Sequence, residues 1–345
     1  MRKLRFTSYF IFTSIGIVSL LMFFLNLVIG SVSIPFSVLL TFFSDSITEN
    51  EAVGQLIILE SRLPQAITAA ISGASLALAG LQMQTLFRNP LAGPSILGIS
   101  SGASLGVAII TLSSGFGGFL IFNRLISEFS IHIGAVSGAF LVLFIVLFIA
   151  KKVKNNASLL IIGLMVGYAV SSIIGLLNYI GQQGEVHAFV IWGLGSFSNV
   201  QNNQLIVFAG LILPVLLFSL LHMKPMNAML LGDAYAKNLG VNLKRIRWQL
   251  IFLSGYLTAI ITAYTGPIAF IGLATPHLAR LIFKSSDHKL LIPAVILVGI
   301  LVALSCNLIA RLPFFQDALP INVITSLFGA PLVVYLIVKR KQIGF

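Results

Sequence analysis

Residues 244–280 read Lys-Arg-Ile-Arg-Trp-Gln-Leu-Ile-Phe-Leu-Ser-Gly-Tyr-Leu-Thr-Ala-Ile-Ile-Thr-Ala-Tyr-Thr-Gly-Pro-Ile-Ala-Phe-Ile-Gly-Leu-Ala-Thr-Pro-His-Leu-Ala-Arg, and this stretch decides the fold. Between Arg247 and Arg280 lie 32 residues without a charged side chain. That is enough for one membrane helix of about 20 apolar residues but too few for two of full length. Bases stand on both flanks: Lys244, Arg245 and Arg247 before, Arg280 and Lys284 after. Flanking Lys and Arg mark the cytoplasmic side, so the chain must leave and return within one segment. Gly266-Pro267 divides it. A full helix over about 247–265 followed by a half-helix over about 272–283 meets the requirement, since a short helix at membrane depth is tolerated inside protein or beside a cavity.

Eight further charge-free runs surround this one: 6–44, 63–87, 89–123, 129–150, 155–184, 186–223, 290–310 and 318–338. None alternates in the manner of an outer-membrane barrel strand. Of the 345 residues, 58% are hydrophobic and only 9% are charged. Soluble domains carry about 25% charged residues, so an ordinary soluble enzyme, a disordered chain and a disulfide scaffold are all excluded. The run from Phe6 to Gly30 is too long for a removed leader and reads as a first membrane helix. The expected fold is an all-α polytopic membrane bundle of about ten transmembrane helices, one of them the short half-helix. Residues 1–345 then form a single transmembrane domain with both termini in the cytoplasm.

The net charge of +12 looks at first like a nucleic-acid surface. Its distribution excludes that. With ten passes the inner segments hold 18 of the 21 bases and two of the nine acids, a net of +16; the outer segments hold three bases and seven acids, a net of −4. Arg62, Arg124 and Arg311 are the outward bases. The excess marks orientation in a lipid bilayer, with no nucleic acid implied.

Catalytic signatures are missing. There is no GxxxxGK[ST], HExxH, CxxC or GxSxG, and the histidines have no metal-ligand spacing. We expect no catalytic residue, no metal site and no cofactor. The lone Cys306 lies in an apolar run, where it reads as a small buried hydrophobe. No span holds Asp, Glu, Lys or Arg between its ends, which argues against an ion-coupled secondary carrier working alone. Small residues abound, as in Gly73 to Gly80, Gly98 to Gly106 and the series Gly163, Gly167, Ser171, Gly175; close helix packing and a path lining both fit them. Pro64 and Pro320 each sit where an outside-to-inside helix would begin.

The longest polar insertion on the inner side is 222–247. Asp233 to Leu239 suits a short helix stopped by Gly240, with Met226, Met229, Leu230 and Leu239 exposed among polar neighbours. Such a helix fits a membrane surface as well as a partner's groove.

The stretches Arg62-Leu-Pro, Gly80-Leu-Gln-Met-Gln-Thr-Leu-Phe-Arg-Asn-Pro-Leu-Ala-Gly-Pro-Ser-Ile-Leu-Gly98, Trp192-Gly-Leu-Gly-Ser196, Leu231-Gly232 to Gly240-Val241, Gly266-Pro-Ile-Ala-Phe-Ile-Gly272 to Arg280, and Leu319-Pro320 to Pro331 closely resemble, in order, the FecCD-type permeases of ABC importers for iron siderophores, haem and cobalamin. The resemblance implies a multi-pass protein of the bacterial cytoplasmic membrane. It implies a second permease subunit (a second copy or a close homologue), an ATPase subunit dimer beneath, and an extracytoplasmic substrate-binding protein. Its implied cargo is an iron chelate, a ferric siderophore or haem; cobalamin or a free metal ion is the alternative. The region 226–242 then matches the coupling helix that docks on the ATPase, through Leu231, Gly232, Asp233, Ala234, Leu239, Gly240 and Val241. Ala234 stands where relatives often carry Glu. Arg62 and Arg311 match arginines that pair with the binding protein, while Gln65 and Leu319 depart from that docking set. Asn89, Pro90, Ser171, Asn178, Thr275, Pro276 and His277 are implied for the translocation path.

Overall fold

The computed structural model describes residues 2–32, 34, 35, 38, 48–112, 130–153, 155–313 and 318–340. Asp45, Arg124, Glu128, Lys154, Asp317 and Lys341, all counted in the charge distribution above, lie outside these. Fourteen α-helices run in chain order through the described residues: α1 (Arg2–Val28), α2 (Glu49–Ile57), α3 (Leu63–Phe87), α4 (Ile99–Leu112), α5 (Ser130–Lys152), α6 (Asn156–Ile180), α7 (Gln183–Gly193), α8 (Asn202–Ser219), α9 (Met223–Leu230), α10 (Asp233–Asn238), α11 (Leu243–Thr265), α12 (Ile271–Phe283), α13 (His288–Ala310) and α14 (Ile321–Arg340). No strand occurs among the described residues. Seven helical segments are long and apolar enough to cross a membrane, and three shorter apolar helices (Ile99–Leu112, Ile271–Phe283 and Ile321–Tyr335) accompany them.

The decisive stretch folds as its sequence requires. Helix α11 ends at Thr265, Gly266 turns the chain at a φ of 74°, and α12 begins at Ile271. Two other expectations are corrected. The run 186–223 is not one span. It divides into α7 and α8, because Gly195 adopts a φ of 72° and Ser196 caps a short 3-10 turn. Nor does Pro64 open a helix. The helix starts at Glu49, with the Thr48 amide donating to the Glu51 carboxylate, and runs on through α3. Pro64 has no N–H to return to Glu60, and the turn Ile58–Arg62 just before it relaxes to a π-helix.

Helix α3 is the axis of the bundle. It is buried almost throughout, its polar side chains Gln65, Gln82 and Gln84 included, so it has no solvent-facing side. Its glycines set its neighbours: Gly73 meets the backbone of Gly299 in α13, and Gly80 meets Gly272 in α12. Gly102 and Gly106 of α4 face Gly138 and Gly134 of α5 in the same way. Small residues let membrane helices approach until backbones touch, and dispersion between close surfaces replaces the hydrophobic effect that lipid cannot supply. Helices α1, α6 and α8 lie outside this core and expose Leu, Ile, Val and Phe, the surface expected against lipid or another apolar chain. Cys306 is buried in α13.

Candidate functional site

At the basic end of the bundle, α3 closes on Arg88, the helix-terminal residue in the left-handed region (φ 47°, ψ 35°). The chain then makes an Asx turn, in which the Leu91 amide donates to the Asn89 side chain at 3.0 Å. The Pro90 carbonyl pairs with His277 Nε2 of α12 at 2.7 Å. Arg280, one turn further along α12, donates to Gln84 of α3 at 2.7 Å, and Gln84 donates back to the Leu273 carbonyl at 3.1 Å. Thr275 and Pro276 are buried in the same half-helix. Asn89, Pro90, Thr275, Pro276 and His277 therefore form one cluster. Ser171 and Asn178 do not join it. They sit on α6, Ser171 exposed and Asn178 half-buried, beside the open face of Gly175.

The polar insertion 222–247 is built around α9 and α10. Met226 and Met229 are buried, not exposed as expected, because α9 packs onto α3 and α13. The exposed apolar side chains are Leu230, Leu231, Tyr235 and Leu239. Sequence reasoning missed Tyr235, although its spacing of four from Leu239 places those two on one face of α10; Leu231, exposed beside them, precedes the helix across Gly232. Gly232 (φ 110°) and Gly240 (φ 81°) bound α10 with backbone that L side chains rarely adopt, and Gly240 ends it as expected. Asp233 is α10's first residue and is paired to Arg88 and to Arg247. Ala234 lies within α10 and is exposed, and Val241 follows it and is half-buried. Behind α9, Asn227 accepts the His288 amide at 2.8 Å and donates to Asp287 at 2.6 Å. The Lys289 amide and then the Asn227 side chain hold the Asp287 carboxyl below its ordinary pKa, which suits the N-cap of α13.

At the opposite end, Arg62 and Arg311 are brought together but turned inward. Arg62 is 1% exposed and Arg311 8%. Arg62 donates to the carbonyls of Leu27, Val28 and Val32, so its guanidinium takes up the orphan acceptors at the C-terminus of α1, where a cation is also favoured by the helix dipole. Both guanidinium groups lie against Gly30; a Cβ there would stand 3.0 Å from Arg311 Nη2 and 3.1 Å from Arg62 Nη2. Arg311 Nη1 is buried without a hydrogen-bond partner among the described residues. Burial, and after it the charge of Arg62, push the Arg311 pKa down to about 10, so it stays a cation at neutral pH. Gln65 is also buried and donates to Asn307, which donates to Asn26. This seam of amides joins α1, α3 and α13.

A second node at this end was not foreseen. Asn322 of α14 donates to the Pro267 carbonyl at 2.7 Å and accepts from the Ala269 amide at 2.9 Å. The Ser196 amide donates to the Thr265 carbonyl at 2.7 Å. Three separate sequence stretches, 192–196, 265–269 and 319–322, thus meet at the break between α11 and α12. Only their common wealth of Gly and Pro hinted at it.

The sequence profile of the FecCD transport family matches residues 18–339. The vitamin B12 import system permease protein BtuC of Klebsiella pneumoniae is 35% identical over 294 residues, 85% of this chain and 86% of that protein. The hemin transport system permease protein HmuU of Yersinia pestis is 34% identical over 285 residues, 82% of this chain and 84% of that one. Among solved structures, an inward-facing conformation of a metal-chelate type ABC transporter superposes with a TM-score of 0.82 at 30% identity, covering 95% of this chain and 99% of its own.

Proposed function

This chain is a member of the FecCD transport family, and from that premise we propose that it is the permease subunit of an ABC importer carrying a metal chelate inward across the cytoplasmic membrane. An iron chelate, ferric siderophore or haem, is the first reading. Cobalamin is the second, favoured by the 35% identity to a vitamin B12 permease. The single observation that carries the proposal is similarity over more than four fifths of the chain to permeases of two chelate importers. In this reading residues 1–345 form one ten-pass domain with both termini inside, and it works as a pair with a second copy or a close homologue.

The region 226–242 serves as the coupling segment. Leu231, Tyr235 and Leu239 present the apolar face that enters a groove of the ATPase, where ATP is hydrolysed. The binding protein docks at the end carrying Arg311. Arg62 holds the end of α1 in place there, and Arg311, whose Nη1 has no partner among the described residues, receives a carboxylate. The inner mouth of the path is the cluster of Asn89, Pro90, Thr275, Pro276 and His277, with Ser171 and Asn178 lining it higher on α6. The test is uptake in proteoliposomes holding the permease, its ATPase and its binding protein, offered haem, a ferric siderophore and cobalamin in turn. ATP-dependent accumulation of one chelate is expected. Accumulation driven by an ion gradient, without the ATPase, would overturn the proposal.

A further inference from the structure

The geometry points to Asp233 as the strut through which movement of the docking helix reaches the half-helix α12. The inference rests on the proposed docking of α10 on the ATPase, and it concerns the opposite face of that helix.

Helix α10 has six residues and hangs between Gly232 and Gly240, neither of which has an atom within 4 Å of where a Cβ would stand. Packing alone holds it lightly. Ala236 is fully buried, whereas Leu231, Tyr235 and Leu239 point outward. Asp233 lies two residues from Tyr235 and three from Ala236, which puts it on the bundle side, away from the docking face. There its two carboxylate oxygens are divided. Oδ1 accepts from Arg88 and Oδ2 from Arg247, the latter at 2.5 Å.

Each arginine leads to α12 by a different route. Arg88 ends α3 in a left-handed conformation and is followed directly by Asn89 and Pro90, and the Pro90 carbonyl is held by His277 of α12. Arg247 lies in the second turn of α11, the helix that runs to Gly266 and hands the chain to α12. One carboxylate thus ties the loop to both helices that frame the half-helix. A push on α10 displaces both arginines together, whereas a push on either arginine alone is shared through the carboxylate. All three side chains are between 24% and 41% exposed, so each pair adds little to stability and its removal should leave the fold intact. Its value is in transmission.

The experiment uses the assembled permease, ATPase and binding protein in proteoliposomes, and reads uptake per ATP hydrolysed alongside co-purification of the ATPase. Asp233, implied by the family resemblance for docking, has its carboxylate taken up by Arg88 and Arg247 instead, so for Asp233→Asn, which keeps the size and the helix start, we expect unchanged co-purification and ATP hydrolysis, with uptake per ATP lowered by about tenfold, within the usual range of coupling between sites. Asp233→Glu should restore most of it. Arg88→Gln combined with Asp233→Asn should be no worse than Asp233→Asn alone, since both remove one strut. Unchanged uptake per ATP in Asp233→Asn would overturn the inference, as would additive losses in the double variant. Loss of co-purification in Asp233→Asn would also overturn it, because the carboxylate would then belong to the docking contact. Failure of the docking proposal looks different: Leu231→Asp, Tyr235→Asp and Leu239→Asp together would leave co-purification intact, and the strut would lose its premise.

Discussion

The contact between α3 and α12 at Gly80 allows a sharp test of how this bundle is held. A Cβ placed on Gly80 would stand 1.7 Å from the Gly272 carbonyl oxygen and 2.5 Å from its carbon. A carbon and a carbonyl oxygen normally stay about 3.3 Å apart or more, so Gly80→Ala requires α12 to move away by about 1.6 Å. The obstructing atoms are backbone, and no side-chain rotation relieves them. Overpacking of this kind costs about 1–3 kcal/mol. Against it stands the intrinsic gain of about 0.8–1.0 kcal/mol when Ala replaces Gly inside a helix. The control is Gly16 in α1, which has nothing within 4 Å of its Cβ position, so Gly16→Ala collects the helical gain alone. Gly80→Ala should lower the thermal unfolding midpoint of the purified permease, and Gly16→Ala should leave it equal or slightly higher. The same displacement would stretch the Gln84 bonds to Arg280 and Leu273, so uptake should fall in Gly80→Ala and hold in Gly16→Ala. Equal midpoints for the two variants would refute the claim that backbone contact at this glycine sets the position of α12.

Other substitutions probe the two ends. Asn322→Ala removes the partners of Pro267 and Ala269, each bond worth about 1 kcal/mol and more where a buried group is left alone, so a loss of about 2–3 kcal/mol is expected in denaturant unfolding. Arg62→Met strips the donors from the end of α1 and should destabilise by about 2–4 kcal/mol, measured in the same way. Arg62→Lys should recover only part of this, because a single ammonium cannot reproduce the fork of donors. Gly240→Ala meets no atom and suffers only the left-handed strain, about 1 kcal/mol, which should appear as weaker but not abolished ATPase co-purification.

Much of the bundle was legible in the sequence because its signals are local. A charge-free run longer than a bilayer, with bases at one side, needs no knowledge of neighbours, and the break at Gly266 followed from counting residues between Arg247 and Arg280. The division of 186–223 was missed for the same reason. Hydropathy alone does not register a chain reversal at Gly195, since Leu194, Phe197 and their neighbours remain apolar. Met226 and Met229 were placed outside because a loop rich in Lys and Asn looks solvated, yet α9 packs against α3 and α13, elements distant in sequence. The cluster around His277 was partly legible: Asn89-Pro90 and Thr275-Pro276-His277 were named, but the hydrogen bond that unites them spans 187 positions.

The sequence by itself determined that this chain lives in a membrane, that it is helical, and to which family it belongs. Each of these follows from composition, run length and motif order, quantities that sum along the chain. The tertiary structure alone decided where polar side chains point. Arg62, outward by charge count, turns in to the carbonyls of α1. Asn322 joins three distant stretches, and Asp233 reaches two arginines 145 and 14 positions away. Away from water a polar group must find its partner within the fold, and there as at the part-exposed Asp233 that partner is chosen by three-dimensional proximity rather than by neighbourhood in sequence.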